Sequence, residues 1–274
     1  MQGKITISFE NLEELIELIN NVYGFDLSGY AKASLKRRVS RILTVFDLDI
    51  LELKHKLVNT PGFVNTFLSE ITVNVTEMFR DPTFYKTLRH EIAGYLSTFP
   101  HIKVWSAGCA TGEEVYSLAI LLHNEGLYDR AFIYGTDVNP EVIDQARKGM
   151  IDLKRMKIYS DNYLHTESGD SLSEYYTTQY DVAVIHNGLL KNTLFATHNL
   201  VSDGVFNEFQ LITCRNVLIY FNSELQQHIT NLFYTSLSLF GFLCLGAKET
   251  LRTDALQHKF RLVNKTHNIY QKIA

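Results

Sequence analysis

Apolar positions recur at helical spacing through the first eighty residues, and as short strands separated by helices through the rest. Leu12, Leu15, Ile16 and Ile19 predict a helix over residues 11–22, with acids in its first turn and Gly24 just past its end. Leu35, Val39, Ile42 and Leu43 predict a second helix over residues 29–46, and two shorter ones fit residues 51–58 and 63–71. The dipeptide Asp81-Pro82 opens another helix. From Ile102 onward the pattern becomes α/β, with strands at 132–136, 209–214 and 241–246 and a closing hairpin near 260–272. Residues 180–185 and 189–196 are β-branched and aromatic runs around His186-Asn187-Gly188, a hairpin signal. They fit either an inserted antiparallel subdomain or an extension of the main sheet at its edge.

The run VWSAGCATGEEVYSLAI, residues 104–120, breaks from an apolar strand into small residues and then into two acids and a helix. A turn made of Ala107, Gly108, Cys109 and Ala110 leaves room for backbone amides to approach a ligand closely. Glu113 and Glu114 make that pocket acidic. A phosphate cradle of the GxxxxGK[ST] kind needs a lysine and a hydroxyl there, so the acids point to a ligand with hydroxyls and a positive centre. S-adenosylmethionine is such a ligand. In FIYGTDVNPEVIDQARKG, Asp137 stands at the strand tip, Asn139 caps the next helix, Pro140 begins it and Gly149 ends it. An acid at that tip takes ribose hydroxyls in doubly wound folds. The other reading, that Asp137 only supports the cap, is weakened because Asn139-Pro140 already does so.

Composition narrows the class. The chain has 274 residues, 46% hydrophobic and 20% charged, enough for one large core and a smaller one. A net charge of −4 gives no general attraction to polyanions, so nucleic acid is not an expected partner. Cys109, Cys214 and Cys244 show no CxxC spacing and fall in apolar contexts, which fits buried, reduced thiols and a cytoplasmic protein. No apolar signal region follows residues 1–3, so export is not expected. Residues 232–246 are broken by Ser236, Ser238 and Gly241 and read as a buried helix running into a strand, so no membrane insertion is expected.

Five segments together carry a family resemblance. They are ITVNVTEMFRDP (71–82), VWSAGCATGEEVYSLA, YGTDVNPEVIDQARKG, THNL (197–200) and FQLITCRNVLIYFN (209–222). In order and spacing they resemble the CheR family of chemoreceptor glutamate methyltransferases, over nearly the whole chain. The resemblance implies an α/β fold: a doubly wound, Rossmann-like methyltransferase sheet with a small antiparallel β-insertion, preceded by an all-helical N-terminal domain. It divides the chain into residues 1–82, the receptor-facing helical domain and linker, and 83–274, the S-adenosylmethionine-binding domain with a β-subdomain at about 175–198. The activity implied is methyl transfer to receptor glutamate carboxylates, giving methyl esters and S-adenosylhomocysteine, in adaptation of chemotaxis.

Carried over residue by residue, the family's cofactor contacts fall on Asn74, Thr76 and Arg80 in the segment written VNVT here. They continue at Gly108, Glu113 and Asp137, at Asn199 and Leu200 near the adenine, and at Arg215 and Asn216. Met78 stands where the family has a phenylalanine, Val115 where it has proline and Ala110 where it often has serine; no polar contact is removed. Family members that dock on a receptor's C-terminal pentapeptide carry a glycine-rich loop in the insertion. Residues 175–184 contain no glycine, so direct recognition of an acidic helical bundle is expected in place of a pentapeptide tether. Lys36, Arg37, Arg38 and Arg41 could present cations to that bundle, or could be a solvated face. The chain is expected to be a monomer.

Glutamate carboxylate is an anionic nucleophile at neutral pH, so transfer needs in-line positioning and desolvation and no dedicated base or metal. Tyr220 could steer the carboxylate or be core, and Arg80 could pair with the cofactor's carboxylate or with the incoming glutamate. His198 reads as structural. A nucleic-acid amino-group methyltransferase would show an NPPY-like tetrapeptide where CRNV stands. A small-molecule enzyme would not need the basic helical domain, and a cofactor-sensing module without turnover is the remaining alternative.

Overall fold

The computed structural model describes residues 7–72, 74–251 and 258–274, so the readings of residues 1–3 and of Val73 in the VNVT segment lie outside the described residues. Four helices, α1 (Phe9–Tyr23), α2 (Lys32–Phe46), α3 (Ile50–Asn59) and α4 (Phe63–Ile71), open the chain. Ser8 caps α1 by accepting from the Asn11 amide, and Gly24 ends it at φ 67. Asp49 and Glu52 form a reciprocal capping box at α3. The apolar stripes meet in one cluster that buries Ile19, Val39, Ile42, Leu43, Leu53 and Leu57 completely.

Helices α5 (Pro82–Thr87) and α6 (Ala93–Leu96), with a π turn over Leu88–Ile92 between them, lead into the sheet. The order then runs β1 (Ile102–Ala107), α7 (Glu113–Asn124), β2 (Ala131–Asp137), α8 (Pro140–Lys148), β3 (Met150–Asp152) and α9 (Leu153–Leu164). It continues through β4 (Tyr176–Gln179), β5 (Val182–Ile185), α10 (Asn187–Leu190), β6 (Thr193–Thr197), β7 (Phe209–Cys214) and α11 (Ser223–Ser236). Strands β8 (Leu237–Leu245), β9 (Phe260–Asn264) and β10 (Ile269–Lys272) close the chain.

Among the described residues, seven strands form one sheet in the order β6-β2-β1-β7-β8-β10-β9, parallel from β6 to β8 and antiparallel beyond. Every residue of β7 is buried, as a parallel strand covered on both faces requires. Val104 faces one apolar cluster and Trp105, next in sequence, the other. From β1 the chain moves outward to β2 and β6, then returns to β7 on the opposite side of β1. That reversal leaves a crevice at the carboxyl ends of β1 and β7, where doubly wound folds bind ligands.

The hairpin expected around Asn187-Gly188 is not formed. These residues begin α10, and the run after them becomes β6, parallel to β2 at the edge of the main sheet. Strand β5 instead pairs antiparallel with β4 and β3 in a separate three-stranded sheet. The true turn is at Tyr180, fully exposed and at φ 53, between β4 and β5. Asn-Gly does favour that turn chemistry, but burial of Leu189 and Phe195 against the main core decides the pairing.

Two backbone hydrogen bonds join the helical unit to the sheet domain: Ala31 N–H donates to Tyr220 O (2.8 Å) and Asn222 N–H to Gly29 O (2.8 Å). A Cβ at Gly29 would lie 2.5 Å from Leu225 Cδ2, so only glycine permits this approach. Tyr30 and Phe221 pack edge to face across the same bridge, ring centroids 4.9 Å apart.

Candidate functional site

The crevice is a cavity walled on one side by strand tips and on the other by the helical unit. At the end of β1, the amides of Gly108 and Cys109 both donate to Thr136 O, at 2.8 and 2.9 Å. Gly108 has φ 78, and a Cβ there would lie 2.5 Å from Val217 Cγ2. The loop is therefore held bare against β2 and against the segment after β7. Asp137, at the tip of β2, lines the cavity. Its carboxylate accepts from the Ala110 amide and from the Asn139 amide, 3.0 Å each. Burial raises its pKa, and amide hydrogen bonds oppose the shift. The α8 cap is made by Asn139, which accepts from the Glu141 amide, and Asp137 supports it through the Asn139 amide while also lining the cavity.

The acids that follow part company. Glu114 lines the cavity, taking hydroxyl hydrogen bonds from Ser106 (2.8 Å) and Thr213 (2.6 Å) across β1 and β7. Glu113 is 2% exposed and does not line it. It accepts from Thr111 Oγ1 at 2.6 Å and pairs with Arg155 at 3.1 Å, and burial raises its pKa. Arg155 also donates to Thr76 O (3.3 Å), so Glu113 is tied indirectly to the segment carrying Asn74, Thr76 and Arg80. All three of those residues line the cavity.

Arg215 and Asn216, after β7, also line it, as do Asn199 and Leu200 after β6. The Arg215 guanidinium reaches Asp81 at 2.7 Å and Glu114 at 3.6 Å and lies 3.9 Å over the Phe84 ring, while its buried Nε has no protein partner. The His198 ring packs at 5.3 Å on Trp105 and 5.0 Å on Phe206, and it also lines the cavity, its buried Nδ1 without a protein partner.

Four predicted docking cations have separate surroundings. Arg38 lines the cavity, donates to Ile71 O at 2.6 Å and stacks 4.9 Å over the Tyr220 ring; desolvation lowers its pKa. Tyr220 lines the cavity beside it. Lys36 lies 4.4 Å over the Phe9 ring instead. Arg37 and Arg41 are exposed, Arg41 4.0 Å from Glu70. Tyr30 on the cavity wall was not read from the sequence, and Glu114 was read only as making the pocket acidic, not as a contact. For Glu114 the acid pair was visible without its phase; for Tyr30, two residues before α2, no motif pointed to it.

Acids and guanidiniums thus share one cavity: Asp137, Glu114 and Glu77 with Arg38, Arg80 and Arg215. Such a wall suits a zwitterion with a sulfonium and a ribose. Each Asp137 oxygen takes one of these two amide bonds and keeps acceptor capacity for a hydroxyl. Fold and crevice define an S-adenosylmethionine-dependent methyltransferase. Residues 74–269 match the CheR methyltransferase SAM-binding domain and residues 10–72 the CheR methyltransferase all-alpha domain. The chain belongs to the CheR methyltransferase family. It is 44% identical to Cher3 of Pseudomonas putida, over 94% of this chain and 95% of that one. It is 30% identical to the chemotaxis protein methyltransferase of Listeria monocytogenes, over 85% of this chain and 87% of the relative. An uncharacterized 104.1 kDa protein of Rhodobacter capsulatus is 28% identical over 96% of this chain, which spans 28% of that longer protein. No helix among the described residues is long and apolar enough to cross a membrane, and no group of three or more metal-ligating side chains occurs among them.

Proposed function

We propose that this protein esterifies glutamate side chains on the cytoplasmic helical bundle of chemoreceptors, releasing S-adenosylhomocysteine, and so adjusts receptor signalling. The observation that carries the reading is the cavity's second wall, where Arg38 of the helical unit meets Tyr220 of the sheet domain. When bound, S-adenosylmethionine supplies an electrophilic methyl on a sulfonium. Asp137 would take its ribose hydroxyls, and Asn199 and Leu200 would border the adenine. The bare loop at Gly108, with Asn74, Thr76, Arg80, Arg215 and Asn216, would border the remainder. Glu114 is placed to meet an ammonium, and Glu113 to hold the Thr76 backbone through Arg155.

The guanidinium of Arg38 has a partly buried position, where a carboxylate hydrogen bond is stronger than in water. It would draw the glutamate into the mouth and orient one oxygen toward the methyl, with Tyr220 beneath it and Arg80 a second cation for cofactor or substrate. No proton has to leave the nucleophile, so positioning and water exclusion suffice. Arg37 and Arg41, on the exposed face of the same helix, with Lys36, would meet the acidic bundle outside the cavity. The helical domain and linker span residues 1–82 in this reading and the catalytic domain 83–274. The protein acts in the cytoplasm as a monomer and needs no pentapeptide tether. Incubation with labelled S-adenosylmethionine and receptor cytoplasmic fragments tests it: base-labile label on the receptor is expected. Label stable to base, or none, would overturn the glutamate ester.

A further inference from the structure

A buried carboxylate outside the motif segments bears on the cavity from behind. Glu249 follows β8 and is 4% exposed. Its Oε2 accepts from the Gly246 amide at 2.6 Å and from the Asn216 amide at 2.9 Å, and its Oε1 from the Ile219 amide at 3.3 Å. Two of these donors belong to the segment after β7, which supplies Asn216, Val217 and Tyr220 to the cavity wall. Asn216 holds φ 63, a conformation that needs support in a residue with a side chain. Val217 in turn abuts Gly108, whose hypothetical Cβ would meet it at 2.5 Å. One carboxylate therefore joins the end of β8 to the two loops that frame the ligand.

The packing around it leaves no slack. A Cβ at Gly246 would fall 2.5 Å from Glu249 Oε2 and 2.8 Å from the Asn216 nitrogen. Burying an acid here raises its pKa, and the cost is offset only while the amides converge on it.

We propose that Glu249 is a positioning residue for methyl transfer, clamping the Asn216 and Ile219 amides so that Asn216, Val217 and Tyr220 hold their places in the cavity. This rests on the reading of the cavity as the methyl-transfer site. Glu249 does not line the cavity and acts through the backbone.

Hydrogen exchange of the Asn216 and Ile219 amides tests the clamp without reference to activity. Glu249→Gln fits the space but exchanges one acceptor oxygen for an amide donor. Exchange at both amides should rise at least tenfold while that of β7 and of α1 to α4 stays unchanged. Well below the melting temperature, kcat should fall on the order of 10- to 100-fold, the usual cost of misplacing reacting groups by about an ångström. Glu249→Asp, which keeps the charge on a shorter arm, should recover part of it. Gly246→Ala, which displaces the carboxylate and leaves it charged, should raise exchange at the same two amides. That variant decides the matter should Glu249→Gln not fold. Wild-type exchange and wild-type kcat in either variant would overturn the clamp, as would a fall in melting temperature with kcat intact. If the wild-type protein leaves receptor glutamates unmethylated, the substrate reading fails, while the exchange measurement still judges Glu249.

Discussion

The two walls of the cavity are built on different principles. On the sheet side, strand tips fix the geometry: carboxylates accept amide protons at Asp137 and Glu249, and a glycine at 108 leaves no side chain to move. On the helical side, the wall depends on side chains that cross between domains: Arg38 over Tyr220, and Tyr30 against Phe221. The first arrangement preforms a site for one invariant ligand, because backbone dipoles need no reorganisation on binding. The second can follow a protein substrate, because long side chains on a docked helical unit adjust at little cost. Cofactor affinity should therefore respond to changes at the strand tips, and receptor methylation alone to changes on the helical wall.

Asp137→Ala should produce the largest effect. If Asp137 takes the ribose hydroxyls, losing those two charge-assisted hydrogen bonds should weaken S-adenosylhomocysteine binding by about 2–4 kcal/mol. Calorimetry giving unchanged affinity would remove the ribose assignment. The pH response has a definite sign. Burial raises the Asp137 pKa, so folding favours its protonated form; that contribution to stability is full below the ordinary aspartate pKa and is lost as pH rises through the folded value. If the ribose hydroxyls donate to the Asp137 carboxylate, affinity should fall as pH drops toward the folded pKa, and Asp137→Asn should abolish that dependence.

Arg38→Ala should come next, and it should fall on the other side of the divide. Removing a charge-assisted contact to the incoming carboxylate predicts about a 10- to 100-fold loss of methylation. Affinity for S-adenosylhomocysteine should stay near wild type. Equal losses in both measurements would mean that the helical wall also forms the cofactor site, and the contrast between the walls would disappear.

The same contrast explains what could be read from the sequence. Strand tips were legible because their chemistry is local: a strand, small residues and an acid within a few positions, as at Gly108 and Asp137, announce a ligand loop. Glu113 and Glu114 were visible as a pair, but α7 is buried on nearly every side, Val115 to Leu122 included, so no amphipathic phase told which acid faces the crevice. The basic helix had the opposite difficulty. Its apolar stripe was plain, yet only the docking of residues 29–31 against residues 220–222, which sets Arg38 over Tyr220, divides Arg38 from Arg37 and Arg41, and that contact is nonlocal. Likewise Asn187-Gly188 signalled a turn locally, while strand choice followed burial of Phe195 beside Gly135 in β2.

Outside the cavity, Arg37→Glu with Arg41→Glu should lower receptor methylation by about tenfold at low salt, within the range of electrostatic steering. Cofactor affinity should not change, since neither residue lines the cavity. Wild-type activity should fall as ionic strength rises past the point where the Debye length is about 8 Å, and the double variant should lose that dependence. A double variant that methylates receptor at the wild-type rate would show a solvated face, and the edge of the small sheet near Tyr180 would become the surface to examine.

Tyr220→Phe should have the smallest effect, and it sharpens the comparison most finely because Tyr220 comes from the sheet domain yet faces Arg38. Its ring, which supports the guanidinium at 4.9 Å, survives the substitution, and only the hydroxyl is lost. One neutral hydrogen bond predicts a loss of about two- to tenfold in kcat, against the roughly 100-fold or more expected if the hydroxyl moved a proton in the transition state. The glutamate is ionised above its ordinary pKa, so the rate should be flat from neutral to mildly alkaline pH in wild type and variant alike. A steep alkaline or acidic limb present in the wild type and missing from Tyr220→Phe would make the tyrosine an acid–base catalyst, and positioning alone would no longer account for the reaction.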